Sequence, residues 1–328
     1  MIRNQWYAVL DSKEVKKNRP VGVLRMGERL AFWRTKENKI VCMRDLCPHR
    51  GVALSTGKLV DDHLQCPFHG FEFDSSGQCV YIPANGRNAV VPKAMWAHTY
   101  PAREAHGFIW IWWGDYGDHL PEIKFFDSID DTYVYSTIQD HWKTHYSRAI
   151  ENQLDVLHLP FVHHNTIGRG NRTVVDGPVS DCCMEDGMIQ VWFSNRVDDG
   201  TPARSYKELP KPQRSPLLQF IFPNLWQNRL SDNFRLVIAF VPIDNENTKM
   251  YIRAYQNTIK SPLLKPIFSL FSNIGNYYIQ WQDRRVVETQ RPKPSGLKIG
   301  EHLVPGDRPI ILYRKRREAL MAEKNDSK

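Results

Sequence analysis

Two short stretches of this 328-residue chain combine thiols and imidazoles at metal-binding spacing: Cys47-Pro48-His49 and, after a gap of sixteen residues, Cys66-Pro67-Phe68-His69. A C-x-H and a C-x-x-H pair supply two thiolates and two imidazoles. That set suits a two-iron cluster in which one iron keeps its cysteines and the other takes histidines, which raises the reduction potential and makes a carrier of single electrons. The same donors also satisfy a tetrahedral zinc ion, so donor type alone leaves zinc open. Two details favour the cluster. A proline follows each cysteine (Pro48, Pro67) and a glycine follows each histidine within two residues (Gly51, Gly70). Backbone φ is thereby fixed where the chain wraps the metal and freed where it leaves.

A second constellation is Asn152-x-x-Asp155-x-x-His158-x-x-x-x-His163. It places polar, metal-capable residues where a core-facing helical stripe would be apolar, a costly arrangement unless they bind something. His158 and His163 are five residues apart and would diverge on a straight helix. Pro160 lies between them, breaks the helix and lets His163 swing back beside His158. Two histidines and one carboxylate, leaving open positions, form the ligand set of non-haem Fe(II) that activates O2. Asp283 is the candidate carboxylate, with Glu288 as its rival; His164 is the rival of His163. Taken alone, His158 and His163 would read as ordinary satisfied histidines, and it is the company of the cysteine–histidine loops that argues otherwise.

The elements that must position these residues change character along the chain. From Gln5 to about Asp115, short β-rich runs such as Leu30-Ala31-Phe32-Trp33 and Phe108-Ile109-Trp110-Ile111-Trp112-Trp113 alternate with Gly, Asn, Asp and Pro. Asp74-Ser75-Ser76-Gly77 reads as a hairpin turn, so both cysteine–histidine loops sit between strands of a small antiparallel domain. His145 to about His158 reads as a helix ending at Pro160, followed by several strands. A second long helix is expected from Ser272 to about Thr289, with Ile274, Tyr278, Trp281 and Val286 or Val287 facing the core, and a short final helix closes the chain.

Hydrophobic residues make up 41% and charged residues 24%, which is ordinary globular composition. No run approaches the ~18 apolar residues of a membrane span, and the N-terminus lacks a signal-peptide core, so a cytoplasmic protein is expected. Cys42, Cys79, Cys182 and Cys183 are read as reduced and structural. The formal charge of +8 is mostly dispersed, which argues against nucleic acid. The one dense run, Arg314-Lys315-Arg316-Arg317, reads as a solvated helix face, with docking of an acidic electron carrier as the alternative.

On the two motifs, the late helical aspartate and Trp112-Trp113-Gly114-Asp115 at the close of the first domain, the chain resembles, from end to end, an α subunit of the Rieske non-haem iron oxygenases. The resemblance implies that Cys47, His49, Cys66 and His69 bind [2Fe-2S] and that His158, His163 and Asp283 bind Fe(II). It implies an α+β fold: a small antiparallel-β Rieske domain over residues 1–115, then a catalytic domain over 116–328 whose curved antiparallel sheet is covered by helices, helix-grip-like. It further implies a head-to-tail homotrimer in which Asp155 links a histidine of the catalytic iron to His69 of the neighbouring subunit's cluster. Asn152 matches a supporting polar position one turn earlier. Length and motif form resemble the homomeric vanillate and dicamba O-demethylases, and the stretch from Leu154 to His163 resembles hydroxylases of saxitoxin precursors.

The expected activity is that of a terminal oxygenase which monooxygenates a small organic substrate with O2, as hydroxylation or as O- or N-demethylation. The chain carries no Gly-rich dinucleotide fingerprint and no second cysteine cluster, so electrons from NAD(P)H should arrive through a separate reductase, with or without a ferredoxin. Arene cis-dihydroxylation is the alternative within the family. A Rieske electron-transfer protein without oxygenase activity is the alternative outside it, and such a carrier has no need of His158, His163 and Asp283. Trp192, Phe220, Phe222, Trp226, Arg229 and Tyr255 are candidates for lining the substrate pocket.

Overall fold

The computed structural model describes residues 1–115, 117, 119–183, 187–210 and 212–323, and the side chain of Cys183 lies outside the described residues. The chain divides into two compact units, Arg3–Ile123 and Lys124–Lys328, the latter joined by Met1–Ile2.

The first unit is built from β1 (Gln5–Asp11), β2 (Val21–Arg25), β3 (Glu28–Arg34), β4 (Ile40–Arg44), β5 (Lys58–Val60), β6 (His63–Gln65), β7 (Glu72–Phe73), β8 (Cys79–Tyr81), β9 (Thr99–Tyr100), β10 (Ala102–Ala105) and β11 (Phe108–Trp113). They pair in three sheets, β1-β11-β10, β2-β3-β4-β9 and β5-β6-β7-β8. Strand β11 is apolar without alternation because it is buried along its whole length and paired on both sides. The predicted turn at Asp74–Gly77 joins β7 to β8: the Asp74 carboxylate accepts from the Ser76 and Gln78 amides, and Gly77 takes a positive φ of 88°. Cys42 and Cys79 are buried free thiols, and Cys182, in the second unit, is a half-buried one.

The second unit contains β12 (Val134–Trp142), α1 (Tyr146–Leu154), α2 (Leu159–Val162), β13 (Val174–Cys183), β14 (Met188–Arg196), β15 (Leu218–Ile221), β16 (Leu225–Ser231), β17 (Phe234–Pro242), β18 (Thr248–Gln256), α3 (Leu264–Val287) and α4 (Arg308–Ala322). Its sheet has the order β12-β18-β17-β16-β15-β14-β13, antiparallel throughout. Tyr146, Ile150 and Leu154 of α1 and Tyr313 of α4 share one core with Phe220, Trp226, Ile238 and Ile252 of the sheet. Among the described residues no helix is long and apolar enough to cross a membrane.

Helix α1 ends earlier than the sequence suggests. Asp155 leaves the helical region (ψ 128°) and its carboxylate accepts from the Leu157 amide at 2.6 Å, a local bond that competes with helix continuation. Pro160 then lies in the first turn of α2, where its missing N–H has no helical partner to lose. The proline therefore opens a helix and does not end one.

Helix α3 begins at Leu264, eight residues before the predicted start, and of its predicted core Val287 alone is buried. Ile274, Tyr278, Trp281 and Val286 are exposed, whereas Gln280, Gln282, Asp283 and Val287 are buried. The polar stripe faces inward because that is where the candidate metal donors meet.

The basic run of α4 is likewise corrected. Arg314 and Arg317 are 2% and 6% exposed, not solvated. Arg314 grips Glu151 of α1 through Nε and Nη2, both at 2.8 Å, and also reaches Glu301 at 2.6 Å. Arg148 of α1 pairs with Glu301 at 2.7 Å and donates to the Pro292 carbonyl at 2.8 Å. Arg317 donates to the Ser295 carbonyl at 3.0 Å. Glu151→Ala would leave two buried guanidinium groups short of a partner, so we predict a loss of about 3–5 kcal/mol in unfolding free energy. Urea denaturation measures it; a loss below about 1 kcal/mol would show that the network is dispensable.

Candidate iron–sulfur and mononuclear metal sites

The two cysteine–histidine loops have the same backbone design. The Cys47 amide bonds the Val52 carbonyl and the Gly51 amide bonds the Cys47 carbonyl, both at 2.8 Å; the Cys66 amide bonds the Phe71 carbonyl at 2.8 Å and the Gly70 amide the Cys66 carbonyl at 3.0 Å. Gly51 and Gly70 take φ of 75° and 73°, the left-handed conformation that closes each loop. Cys47 and Cys66 are buried, whereas His49 and His69 are exposed, their rings 4.7 Å apart at 62°. His49 also stacks on Phe71 at 4.7 Å. Burial, reinforced by the neighbouring Cys66 sulfur, pushes the Cys47 thiol up to about 11. Thiolates at such a place require a positive partner, which the irons of a cluster supply. Paired buried sulfurs with paired imidazoles at the surface fit a [2Fe-2S] group whose histidine-bound iron is the outer one.

In the second unit, His158 immediately precedes α2 and His163 follows it, so one helical turn brings the rings to 5.2 Å between centroids. Asp283 comes from α3, and its Oδ1 lies 3.0 Å from His163 Nε2 and 3.5 Å from His158 Nε2. The three residues offer ligand atoms within 4.8 Å of one another, with His163 and Asp283 almost fully buried. Asp283 Oδ1 nevertheless has no hydrogen-bond partner. A buried carboxylate oxygen facing two imidazole nitrogens costs several kcal/mol unless compensated, and a divalent cation among the three atoms would compensate it.

The remaining polar atoms of His163 and Asp283 are held by neighbours. His163 Nδ1 bonds Gln282 Oε1 at 2.9 Å; Gln282 Oε1 also accepts from the Thr166 hydroxyl at 3.0 Å, and Gln282 Nε2 donates to Asn165 at 3.2 Å. Gln153 Nε2 donates to Asp283 Oδ2 at 3.3 Å. Asp155 Oδ2 lies 3.7 Å from His158 Nδ1, too far for a full hydrogen bond but close enough to act by charge. Burial opposes the His158 imidazolium, yet the Asp155 and Asp283 carboxylates outweigh it and raise its pKa.

The other candidates lie elsewhere. Glu288 caps the end of α3 and accepts from the Lys143 amide at 2.7 Å. His164 is exposed and turned to the Phe161 carbonyl. Asn152 has a buried amide nitrogen with no partner. Of the residues considered for a pocket, Phe220 and Phe222 pack against Tyr313 in the core, and Arg229 turns to Asp232 at the surface. Gln153 and Gln282 escaped sequence reading; their one signal was polarity on helix faces that should be apolar.

The profile of the Rieske [2Fe-2S] domain matches residues 5–101, and that of the vanillate O-demethylase oxygenase C-terminal domain matches residues 142–323, more than half of the chain. Dicamba O-demethylase, oxygenase component, of Stenotrophomonas maltophilia is 28% identical over 75% of this chain and 69% of its own length. Methylxanthine N1-demethylase NdmA of Pseudomonas putida is 27% identical, covering 99% of this chain and 91% of the relative. Some relatives are much longer: the chain spans 40% of Protein TIC 55, chloroplastic, of Arabidopsis thaliana, at 30% identity. The crystal structure of dicamba monooxygenase bound to dicamba has the same fold, with a TM-score of 0.75, 23% identity and 99% of both chains covered.

Fold and donor sets together define an iron-dependent oxidoreductase of two domains. The chain belongs to the Rieske non-haem iron oxygenases, with a C-terminal domain of the vanillate O-demethylase type. It is a monooxygenase whose cofactors are a [2Fe-2S] cluster and a mononuclear iron, with O2 as co-substrate and electrons derived from NAD(P)H.

Gln282 generates a prediction. Gln282→Leu removes the acceptor that keeps the His163 proton on Nδ1 and so leaves Nε2 free for a metal. Affinity of the apoprotein for Fe(II) should fall about 10–100-fold with the cluster spectrum unchanged. Unaltered affinity in equilibrium dialysis would remove Gln282 from the site.

Proposed function

We propose that this chain is the terminal oxygenase component of a multicomponent system that inserts one oxygen atom of O2 into a C–H bond of a small organic substrate. The other oxygen atom leaves as water, with two electrons and two protons consumed. Where the oxidised carbon bears a methoxy or N-methyl link, the hydroxylated product collapses with loss of formaldehyde, and the reaction is a demethylation. The observation that carries this reading is the buried group His158, His163 and Asp283 in the same chain as the paired cysteine–histidine loops. An electron carrier has no use for the second group. Support for demethylation comes from relatives named as an O-demethylase and an N1-demethylase, and for separate components from the names "oxygenase component" and "monooxygenase system iron-sulfur subunit".

In this reading Cys47, His49, Cys66 and His69 hold the cluster, and His158, His163 and Asp283 hold Fe(II). When bound, the iron activates O2 while the cluster supplies electrons singly. Gln282 fixes the His163 tautomer, Gln153 steadies Asp283 Oδ2 so that Oδ1 faces the imidazoles, and Asp155 draws the His158 proton to Nδ1. Asn152 supports the same helix end one turn before Asp155. A separate reductase delivers the electrons. The assembly is a head-to-tail homotrimer in which Asp155 also meets the neighbouring subunit's His69. An assembly of this kind would account for the outward apolar stripe of α3, where Ile267, Leu270, Ile274, Tyr277 and Trp281 recur at helical spacing and are all exposed.

Two experiments test this. Asp283→Ala should abolish substrate oxidation and weaken mononuclear iron binding while sparing the visible spectrum, and Glu288→Ala should do neither. The reverse pattern would overturn the ligand assignment.

Asp155→Asn and His69→Ala subunits should each be inactive alone, the first with its metal content intact. Mixed trimers should regain part of the activity, because some interfaces pair an intact cluster on one chain with an intact Asp155 on the next. No recovery in trimers shown to have exchanged subunits would mean that electrons travel within one chain.

A further inference from the structure

The half of the basic run that is not buried borders a cleft of about 410 Å³ between α4 and β13, the edge strand of the large sheet. Arg308, Lys315 and Arg316 supply three cations, and Cys182, Leu312 and Ala319 supply apolar wall; among the described residues Asp181 is the one acidic residue on its border. None of these residues belongs to either candidate metal site. Ser180 and Cys182 share one face of β13, since side chains alternate along a strand.

Among the described residues several polar atoms here are buried without hydrogen-bond partners: Ser180 Oγ, Arg308 Nε and Arg316 Nε. Ser180 itself is 5% exposed. Arg308 is pre-positioned, its guanidinium 3.8 Å over the Tyr206 ring and its Nη2 3.4 Å from the Ser180 carbonyl. Arg316 bonds the exposed end of Glu323, at 3.3 Å. Two buried Nε–H donors and a buried hydroxyl left without an acceptor beside an apolar wall are costly alone and would be satisfied together by an anion carrying a hydrocarbon part. The volume is within the ordinary range for small-molecule sites.

We propose that this cleft binds an amphipathic organic anion, its carboxylate or phosphate met by Arg308, Arg316, Lys315 and the Ser180 hydroxyl, and its hydrocarbon part lying on Leu312, Ala319 and Cys182. It is a second ligand site, separate from the one at which substrate is oxidised.

The test is calorimetric titration of the iron-loaded protein with octanoate, octyl phosphate, octanol and inorganic phosphate at low salt. Octanoate or octyl phosphate should bind saturably, and whichever binds more tightly identifies the head group. Octanol and inorganic phosphate should bind at least about tenfold more weakly. The Lys315→Gln/Arg316→Gln double variant should weaken binding by at least about tenfold. Ala319→Phe, which fills the cleft without touching a charge, should weaken it as well, and so covers the case in which the double variant does not fold. Asp283→Ala should bind like the parent. Equal binding of octanol and octanoate, phosphate binding as tightly as either amphiphile, or loss of binding in Asp283→Ala would each overturn the proposal. So would unchanged binding in either cleft variant.

Discussion

The Glu151 carboxylate, buried between the guanidinium groups of Arg314 and Arg148, is the constraint on which the second unit depends. Withdrawing such charges from water is expensive, and the attraction offsets it only where the geometry is bidentate and the remaining donors are satisfied. Here they are: Arg314 reaches the Gly296 carbonyl and Glu301, and Arg148 reaches the Pro292 carbonyl and Glu301. The network fixes the register of α1 against α4 and the segment between α3 and α4. That register places the last turn of α1, which carries Gln153 and is capped by Asp155.

Helix α3 follows from the same economy. A helix usually hides its apolar stripe and shows its polar one. In α3 the buried stripe holds Gln280, Gln282 and Asp283. Two of them have a task that needs burial: Asp283 stands between two imidazoles, and Gln282 holds one of them. The apolar residues are displaced to the outer face, where Leu270, Phe271 and Ile274 are more than half exposed. Inward polarity and outward hydrophobicity are one choice, made when the metal donors took the inner positions.

This explains what was legible in the sequence. The loop pair was, because its chemistry is local: cysteine, proline, histidine and glycine within six residues determine both donors and backbone. The His158–His163 pair was legible, though for the wrong reason: the rings meet across the helical turn that Pro160 opens, not across a break at the proline. The face of α3 was not, because period alone does not say which side is inside. The end of α1 was missed at Asp155, whose carboxylate was weighed as a functional group and not as a competitor for backbone amides. The fate of Arg314 was beyond reach, since its partner Glu151 lies 163 residues away.

The two candidate metal sites are therefore built on different principles. In the first unit, matched backbone hydrogen bonds and two glycines at positive φ set the loop shape before any side chain is considered. In the second, the donors come from a helical turn and from a helix more than a hundred residues later, and only side chains hold them in register: Gln153 on Asp283, Gln282 on His163, Asp155 beside His158. Side-chain scaffolds lose more to thermal motion than backbone scaffolds, because each contact fixes several rotatable bonds for one hydrogen bond. The second site thus depends on the rigidity of α1 and α3, and through α1 on the buried Glu151–Arg314 pair. The arrangement of its donor atoms is a property of the whole unit, whereas that of the first belongs to two short loops.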